Sequence, residues 1–214
     1  MAIPRISNYE IMKHQMSEKF LKYDQNKMIT KFSLPHDEKY IYIRFVGREY
    51  RISRSTGRAA WSENHFLTET EADYNEAMTI YDVLCYSKEN CTLAGKFCPT
   101  NMLKGTVQIM GGSSSFFQKA ADQFAGKTEM LQTALRKLGK LTDLKGDVAA
   151  RIDVFEFLPL IIQYWDADEE FPAVLKFMVD ENIQDFMHFE TVMFMLGHVL
   201  CRIRECMEEG DEII

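Results

Sequence analysis

The stretch Phe157 to Glu190 constrains the fold more than any other part of the chain. It opens with an apolar run of nine residues, Phe157–Trp165. The acidic segment Asp166-Ala167-Asp168-Glu169-Glu170-Phe171-Pro172 follows, and then a second apolar run of eight residues, Ala173–Asp180. Runs of this length suit buried strands and are too short for core helices. Joined by a charged turn that ends in proline, they predict an antiparallel hairpin, with the remaining elements packed as its support.

Composition fixes the class. A hydrophobic content of 46% with 27% charged residues is that of a globular chain, and 214 residues can bury a sizeable core. The net charge of −7 argues against a nucleic-acid backbone or an anionic bilayer as the main partner, because either selects a basic face. No apolar run reaches the roughly 18–20 residues of a membrane span. The opening MAIPRISNYEIMKHQ turns polar before a signal-peptide core of about 7–15 residues is complete. A cytoplasmic location is therefore expected, with no nucleic acid and no membrane as partner. Five cysteines without framework spacing predict reduced thiols, and thirteen methionines read as adaptable core filler.

Taken in order, Ser7-Asn8-Tyr9-Glu10 has the form of a capping box. Tyr9, Met12, Met16, Phe20 and Tyr23 follow at helical spacing, which predicts an amphipathic helix over 8–24. From Met28 the period changes to two. MITKFSL, KYIYIRFVG and REYRIS predict three antiparallel strands, turned at Pro35-His36-Asp37-Glu38 and at Gly47-Arg48. Tyr40, Tyr42 and Arg44 alternate with Ile41, Ile43 and Phe45, so one face packs and the other is amphipathic. A polar turn at 54–58 and a linker from Trp61 to Thr70 lead to a helix over 71–87. Gly95, Pro99, Gly105 and Gly111-Gly112 break any long element between 90 and 112. Helices start at Ser113 and, capped by Thr128, run on to Gly139. A strand over 147–155 enters the hairpin, and Phe189, Val192, Met193, Leu196, Leu200 and Ile203 form the stripe of a last helix within 181–207. The sum is an α+β fold, a mainly antiparallel sheet (strands about 28–53 and 147–180) packed by four to six helices.

The first candidate ligand-binding set is Trp165, Asp166, Asp168, Glu169 and Glu170. Four carboxylates in five residues suit a hard cation, but the segment is no EF-hand. Its sixth position is Phe171 instead of glycine and its twelfth is Phe177 instead of glutamate. No metal is assigned here, and the simpler reading is a solvated turn with Trp165 and Phe171 packed beneath it. The second candidate is Gly111-Gly112-Ser113-Ser114-Ser115, where the amides and hydroxyls of Ser113 and Ser114 at a helix start can cradle an anion. Gly126-Lys127-Thr128 imitates the end of a phosphate loop, but an amphipathic helix stands where the buried strand belongs. There is no CxxC pair, and His198 and Cys201, three apart on one helix, read as core and flank residues.

Gly47-Arg48-Glu49-Tyr50, Gly146-Asp147, Pro159, Trp165-x-x-Asp168-Glu169-Glu170-Phe171-Pro172, Asp180 and Glu190 together resemble the pattern of an uncharacterised family, domain of unknown function 3786. The family is similar across anaerobic bacteria and archaea, and the resemblance covers about residues 10–205. It departs at Met178-Val179-Asp180, where relatives usually have phenylalanine for Val179. The resemblance implies one domain rather than two, and the chain is read as a single domain over 1–214, the N-terminal helix and meander (1–60) packed on the helical and hairpin part (61–214). It supplies no catalytic or binding residues. Some relatives carry a cysteine-rich iron–sulfur segment that this sequence does not show, so no redox role is expected from them.

The expected function is a ligand- or partner-binding protein whose partner is an unknown small molecule or protein; the cofactor, too, is unknown. The alternative is an enzyme using the acidic motif 166–170 with a divalent cation or as general acid and base. That alternative needs a carboxylate of perturbed pKa in a cleft. If the acidic motif is scaffold, the site has to be sought near Gly111 to Ser115 or on the first sheet.

Overall fold

The computed structural model describes residues 7–105 and 112–211. Helix α1 (Asn8–Phe20) starts where expected, with the Ser7 hydroxyl accepting the Glu10 amide, and ends a turn early. Segment 28–34 is not a strand. Asp24 accepts the Lys27 amide, Ser33 closes the segment in the left-handed region at φ 52°, and α2 (Gln25–Phe32) lies between them. Met28, Ile29 and Phe32 share one side of that helix, so the i, i+1, i+4 spacing decided the structure over the shorter alternation.

The first sheet is a four-stranded antiparallel meander in the order β1 (Tyr40–Phe45), β2 (Arg48–Ser53), β3 (Ala59–Ser62) and β4 (Thr70–Glu71). The last two strands take in only the two ends of what reads as a linker, Trp61-Ser62 and Thr70. They are too short to show a period. In β1 and β2 the alternation holds: Ile41, Ile43, Phe45, Arg48, Tyr50 and Ile52 are buried, while Tyr42, Arg44, Glu49 and Arg51 look outward. Their turn is Val46-Gly47, not Gly47-Arg48, with both residues at positive φ (45° and 75°). A β-branched residue is strained there. Val46 is held because its amide donates to Val154 at 2.8 Å and its carbonyl accepts from Arg202.

The second sheet has the order β5 (Phe97–Pro99), β9 (Val174–Asp180), β8 (Leu158–Trp165), β7 (Val148–Phe155) and β6 (Gly139–Leu141), all antiparallel. The hairpin forms as expected, with Leu160 opposite Val179 and Trp165 opposite Val174. Helix α3 (Tyr74–Tyr86) packs on α1 and on the long α7 (Phe189–Asp211). Helix α4 (Gly112–Phe124) covers β9, α5 (Thr128–Leu138) lies on β6, β7 and α7, and α6 (Ile183–Phe186) is a single turn. Among the described residues no helix is long and apolar enough to cross a membrane.

One apolar cluster runs through both sheets. Its seam is a column of rings: His198 stacks on Phe45 (4.5 Å), Phe45 on Phe155 (4.7 Å), Phe155 on Phe157 (5.4 Å) and Phe157 on Phe32 (4.3 Å). Together with the Val46–Val154 hydrogen bond, this column fixes the first sheet against the turn between β7 and β8.

Candidate functional site

The acidic motif is fastened as a structural joint. The Asp166 carboxylate accepts the Gly126 amide and the hydroxyls of Thr128 and Tyr164, each at 2.9 Å, and its own amide donates to Asp147 at 2.7 Å. The Gly126 amide contributes most, and the hydroxyls add to it, in holding this carboxyl below its ordinary pKa. Thr128 is therefore not the cap of α5. Lys127 stands at the cap position without a side-chain bond, and Asp166 brings a negative charge to that helix start from the end of β8. Asp168 closes its own turn, accepting the amides of Glu170 and Phe171 at 2.8 and 2.7 Å.

The turn needs no apolar anchor under it. Phe171 is 66% exposed instead of packed beneath, and the buried residue at this point is Ala173. Trp165 is half-buried, with the Lys176 ammonium 4.8 Å from its ring centre. Glu169 and Glu170 are exposed. Among the described residues no group of three or more His, Cys, Asp or Glu is placed to hold a metal ion. The side chains of Ser113 and Ser114 lie outside the described residues.

Because Asp166 joins β8 to α5, Asp166→Ala is expected to lower the unfolding free energy by about 2 kcal/mol, the scale of hydrogen bonds to a charged acceptor. Its folded pKa is depressed, so this contribution is complete above about pH 4 and is lost as pH falls through the folded value. Urea melts at pH 7 and pH 3 measure both; an unchanged midpoint at pH 7 would reduce the joint to an exposed turn.

Sequence reasoning missed a buried polar network between β2, α3 and α7. The Tyr50 hydroxyl donates to Glu76 at 2.7 Å and lies 3.3 Å from His198 Nε2, which makes Nε2–H the donor to the Tyr50 oxygen. Arg48 is stacked 3.6 Å from the Trp61 ring centre, approaches Glu76 at 3.8 Å and bonds Glu63 and Glu205. Arg202 also pairs with Glu205. Burial pushes Glu76 above the usual carboxylate range and, with Arg202 and Arg48 nearby, takes His198 down to about 3. Arg48, Tyr50, Glu76, His198 and Arg202 are buried, with Glu63 and Glu205 at the edge, and the network ties three elements together. The signal for them was Arg48 and Tyr50 in alternate, inward positions of REYRIS.

The five cysteines are free thiols, and desolvation raises the pKa of each, Cys85 to about 12. None is an activated nucleophile.

The outward face of the same strands forms a cleft of about 490 Å³, closed at one end by the stacked rings of Phe32 and Phe157 and at the other by Phe66. That volume falls in the range of small-molecule sites. The loop after β3 builds its upper wall. Ser62, itself buried, accepts the amides of Asn64 and Phe66 at 3.1 and 2.9 Å, and Asn64 accepts the Thr68 amide at 3.0 Å. This frame holds His65 and Phe66 in succession in the left-handed region, at φ 55° and 61°. Phe66 is thereby set 5.9 Å from the Tyr42 ring and 4.5 Å from the Arg51 guanidinium, and Arg51 is closed on Glu69 at 2.7 Å.

Arg44 also lines the cleft and has no ion-pair partner among the described residues. On the open side of β1, Tyr42 donates its amide to Pro35 and Val46 donates to Val154. Strand alternation turns the Arg44 amide and carbonyl to that same side, between the two links. A larger hollow of about 890 Å³ between α1 and α3 differs in that its charges are already closed on one another, Lys13 on Glu10 and Glu71, and Arg58 on Glu71.

Fold and cleft define an α+β protein of two antiparallel sheets whose seam carries an open, aromatic-walled recess. The chain belongs to the family described as domain of unknown function 3786, whose pattern matches residues 24–202, from α2 into α7. No curated protein and no solved structure matches it.

Proposed function

We propose that the protein is a binding protein that takes a small organic ligand into the cleft between the loop 63–69 and the turn joining β7 to β8. The observation that carries this reading is the pair of left-handed residues His65-Phe66. Two strained non-glycine residues in succession persist only where surrounding bonds over-determine them, and here the Ser62 frame does so. What the strain achieves is the placement of one aromatic ring over a cleft that also contains the Arg44 guanidinium, which has no ion-pair partner among the described residues. The acidic motif supports the enzyme reading poorly, since Asp166 and Asp168 spend their oxygens on neighbouring amides and hydroxyls.

Saturation-transfer NMR on the whole chain tests the cleft, with indole, 3-phenylpropionate, phenethylamine and L-phenylalanine as probes. Transfer to at least one probe is expected. Phe66→Ala should weaken that binding about tenfold or more, the effect of removing one stacked ring. Transfer to none of the four, or transfer that Phe66→Ala leaves unchanged, would overturn the reading.

A further inference from the structure

We infer that the ligand of this cleft carries a carboxylate and an ammonium side by side, as an α-amino acid does, on an apolar or aromatic body. The inference rests on the binding reading above and names its ligand class. Arg44 and Glu49 are directly opposite on β1 and β2, and both side chains point out of the sheet. The hydrogen bonds from Tyr42 and Val46 to the open side make this a pair without mutual backbone bonds, the kind in which side chains stand closest. An arginine and a glutamate so placed ordinarily close on each other.

Here they do not. Glu49 is turned to His65 at 3.7 Å, and no carboxylate lies within ion-pair distance of Arg44 among the described residues. The residue that draws Glu49 aside is the first of the two left-handed ones, so the feature that places Phe66 also holds the Arg44–Glu49 pair open. Glu156, exposed on the opposite rim, adds a second carboxylate without an ion-pair partner among the described residues.

The cleft therefore offers one open cation and, a strand away, an acid whose ion-pair companion among the described residues is an imidazole that is 93% exposed. A ligand carboxylate completes Arg44 in the bidentate geometry a guanidinium favours. A ligand ammonium displaces His65 from Glu49. The body of the ligand then lies toward Phe66, Tyr42 and the Phe32–Phe157 stack, where ring faces also favour the cationic end. A purely anionic ligand would meet the repulsion of Glu49 and Glu156, and a purely cationic one would leave Arg44 uncompensated.

Isothermal titration of the whole chain with L-phenylalanine, phenethylamine and 3-phenylpropionate tests the headgroup, with indole as the uncharged control. L-Phenylalanine is expected to bind at least about tenfold more tightly than either single-charge analogue. Arg44→Gln should bring L-phenylalanine down to the level of phenethylamine while leaving phenethylamine unchanged. Glu49→Gln should bring it down to the level of 3-phenylpropionate. Both side chains are solvent-facing, so the variants are expected to fold, and their urea midpoints are measured alongside. If all the probes bind alike and Phe66→Ala weakens them all, the cleft stands and the paired headgroup falls. If 3-phenylpropionate alone matches L-phenylalanine, the acid of the pair has no part and the inference is overturned. If none binds, indole included, cleft and headgroup fall together.

Discussion

Glu76→Ala is expected to destabilise the protein by about 3–5 kcal/mol, the usual result of removing one partner from a buried charged pair. The carboxylate does several things at once. One oxygen accepts the Tyr50 hydroxyl at 2.7 Å and faces Arg48 at 3.8 Å; the other accepts the Asp73 amide at 2.7 Å and completes the capping box at the start of α3. Alanine leaves the Tyr50 hydroxyl and an almost fully buried guanidinium short of an acceptor, and it removes half of a cap that alone contributes about 1 kcal/mol. Glu76→Gln separates these effects, because the amide oxygen can serve one donor while the charge is gone. Its loss should be less than half that of alanine. Urea unfolding at pH 7 gives both numbers. A Glu76→Ala loss below about 1 kcal/mol would show that Glu63 and Glu205 suffice for Arg48, and that the network does not hold β2 to α3 and α7.

The two sides of β2 show how much the sequence reveals. The alternation in REYRIS separates Arg48 and Tyr50 from Glu49 and Arg51, and the structure sends the first pair to the interior network and the second to the cleft. Alternation gives the faces but not the partners, since Glu76 and His198 lie 26 and 148 positions from Tyr50. The hairpin 157–180 was legible because both strands are nearly continuous apolar runs. Segment 28–34 was not, because Met28, Thr30, Phe32 and Leu34 alternate while Met28, Ile29 and Phe32 also satisfy a helix. The capping oxygen of Asp24 decides between them.

The carboxylates of the acidic motif were read by their number, when what matters is which donors the fold brings. Asp166 meets Gly126 and Thr128 from 40 and 38 positions away. Asp180, fully buried, likewise accepts the amides of Ala94, Gly95 and Asn182. The cleft itself depends on left-handed conformations at His65 and Phe66, which no local pattern announces, since non-glycine residues adopt them rarely.

Acidification is expected to destabilise the protein well above the carboxylate range, with His198 as the cause. The imidazole is 3% exposed, stacked on Phe45 and set between Arg48 and Arg202, and its pKa is lowered from 6.5 to about 3. The folded state therefore binds this proton more weakly than the unfolded chain. Its contribution to stability is complete above the unfolded pKa of about 6.5 and is lost as pH falls toward the folded value. Across that window the slope approaches about 1.4 kcal/mol per pH unit. Glu76 faces the same ring at 3.6 Å and acts in the other direction. Its folded pKa is raised, so its contribution is present below the unfolded carboxylate value and is lost as pH rises through the folded one. The two effects oppose each other wherever their windows overlap, and the histidine's window opens below about pH 6.5.

His198→Phe isolates that range. Phenylalanine keeps a ring against Phe45 but gives up the contact with the Tyr50 oxygen, so the variant should be about 1 kcal/mol less stable at pH 7. Its stability should then fall less steeply than the parent's below about pH 6.5, so that the two curves approach each other on acidification. Urea melts at half-unit steps of pH give both curves. Parallel curves would assign the acid sensitivity to a different group and leave His198 as packing alone.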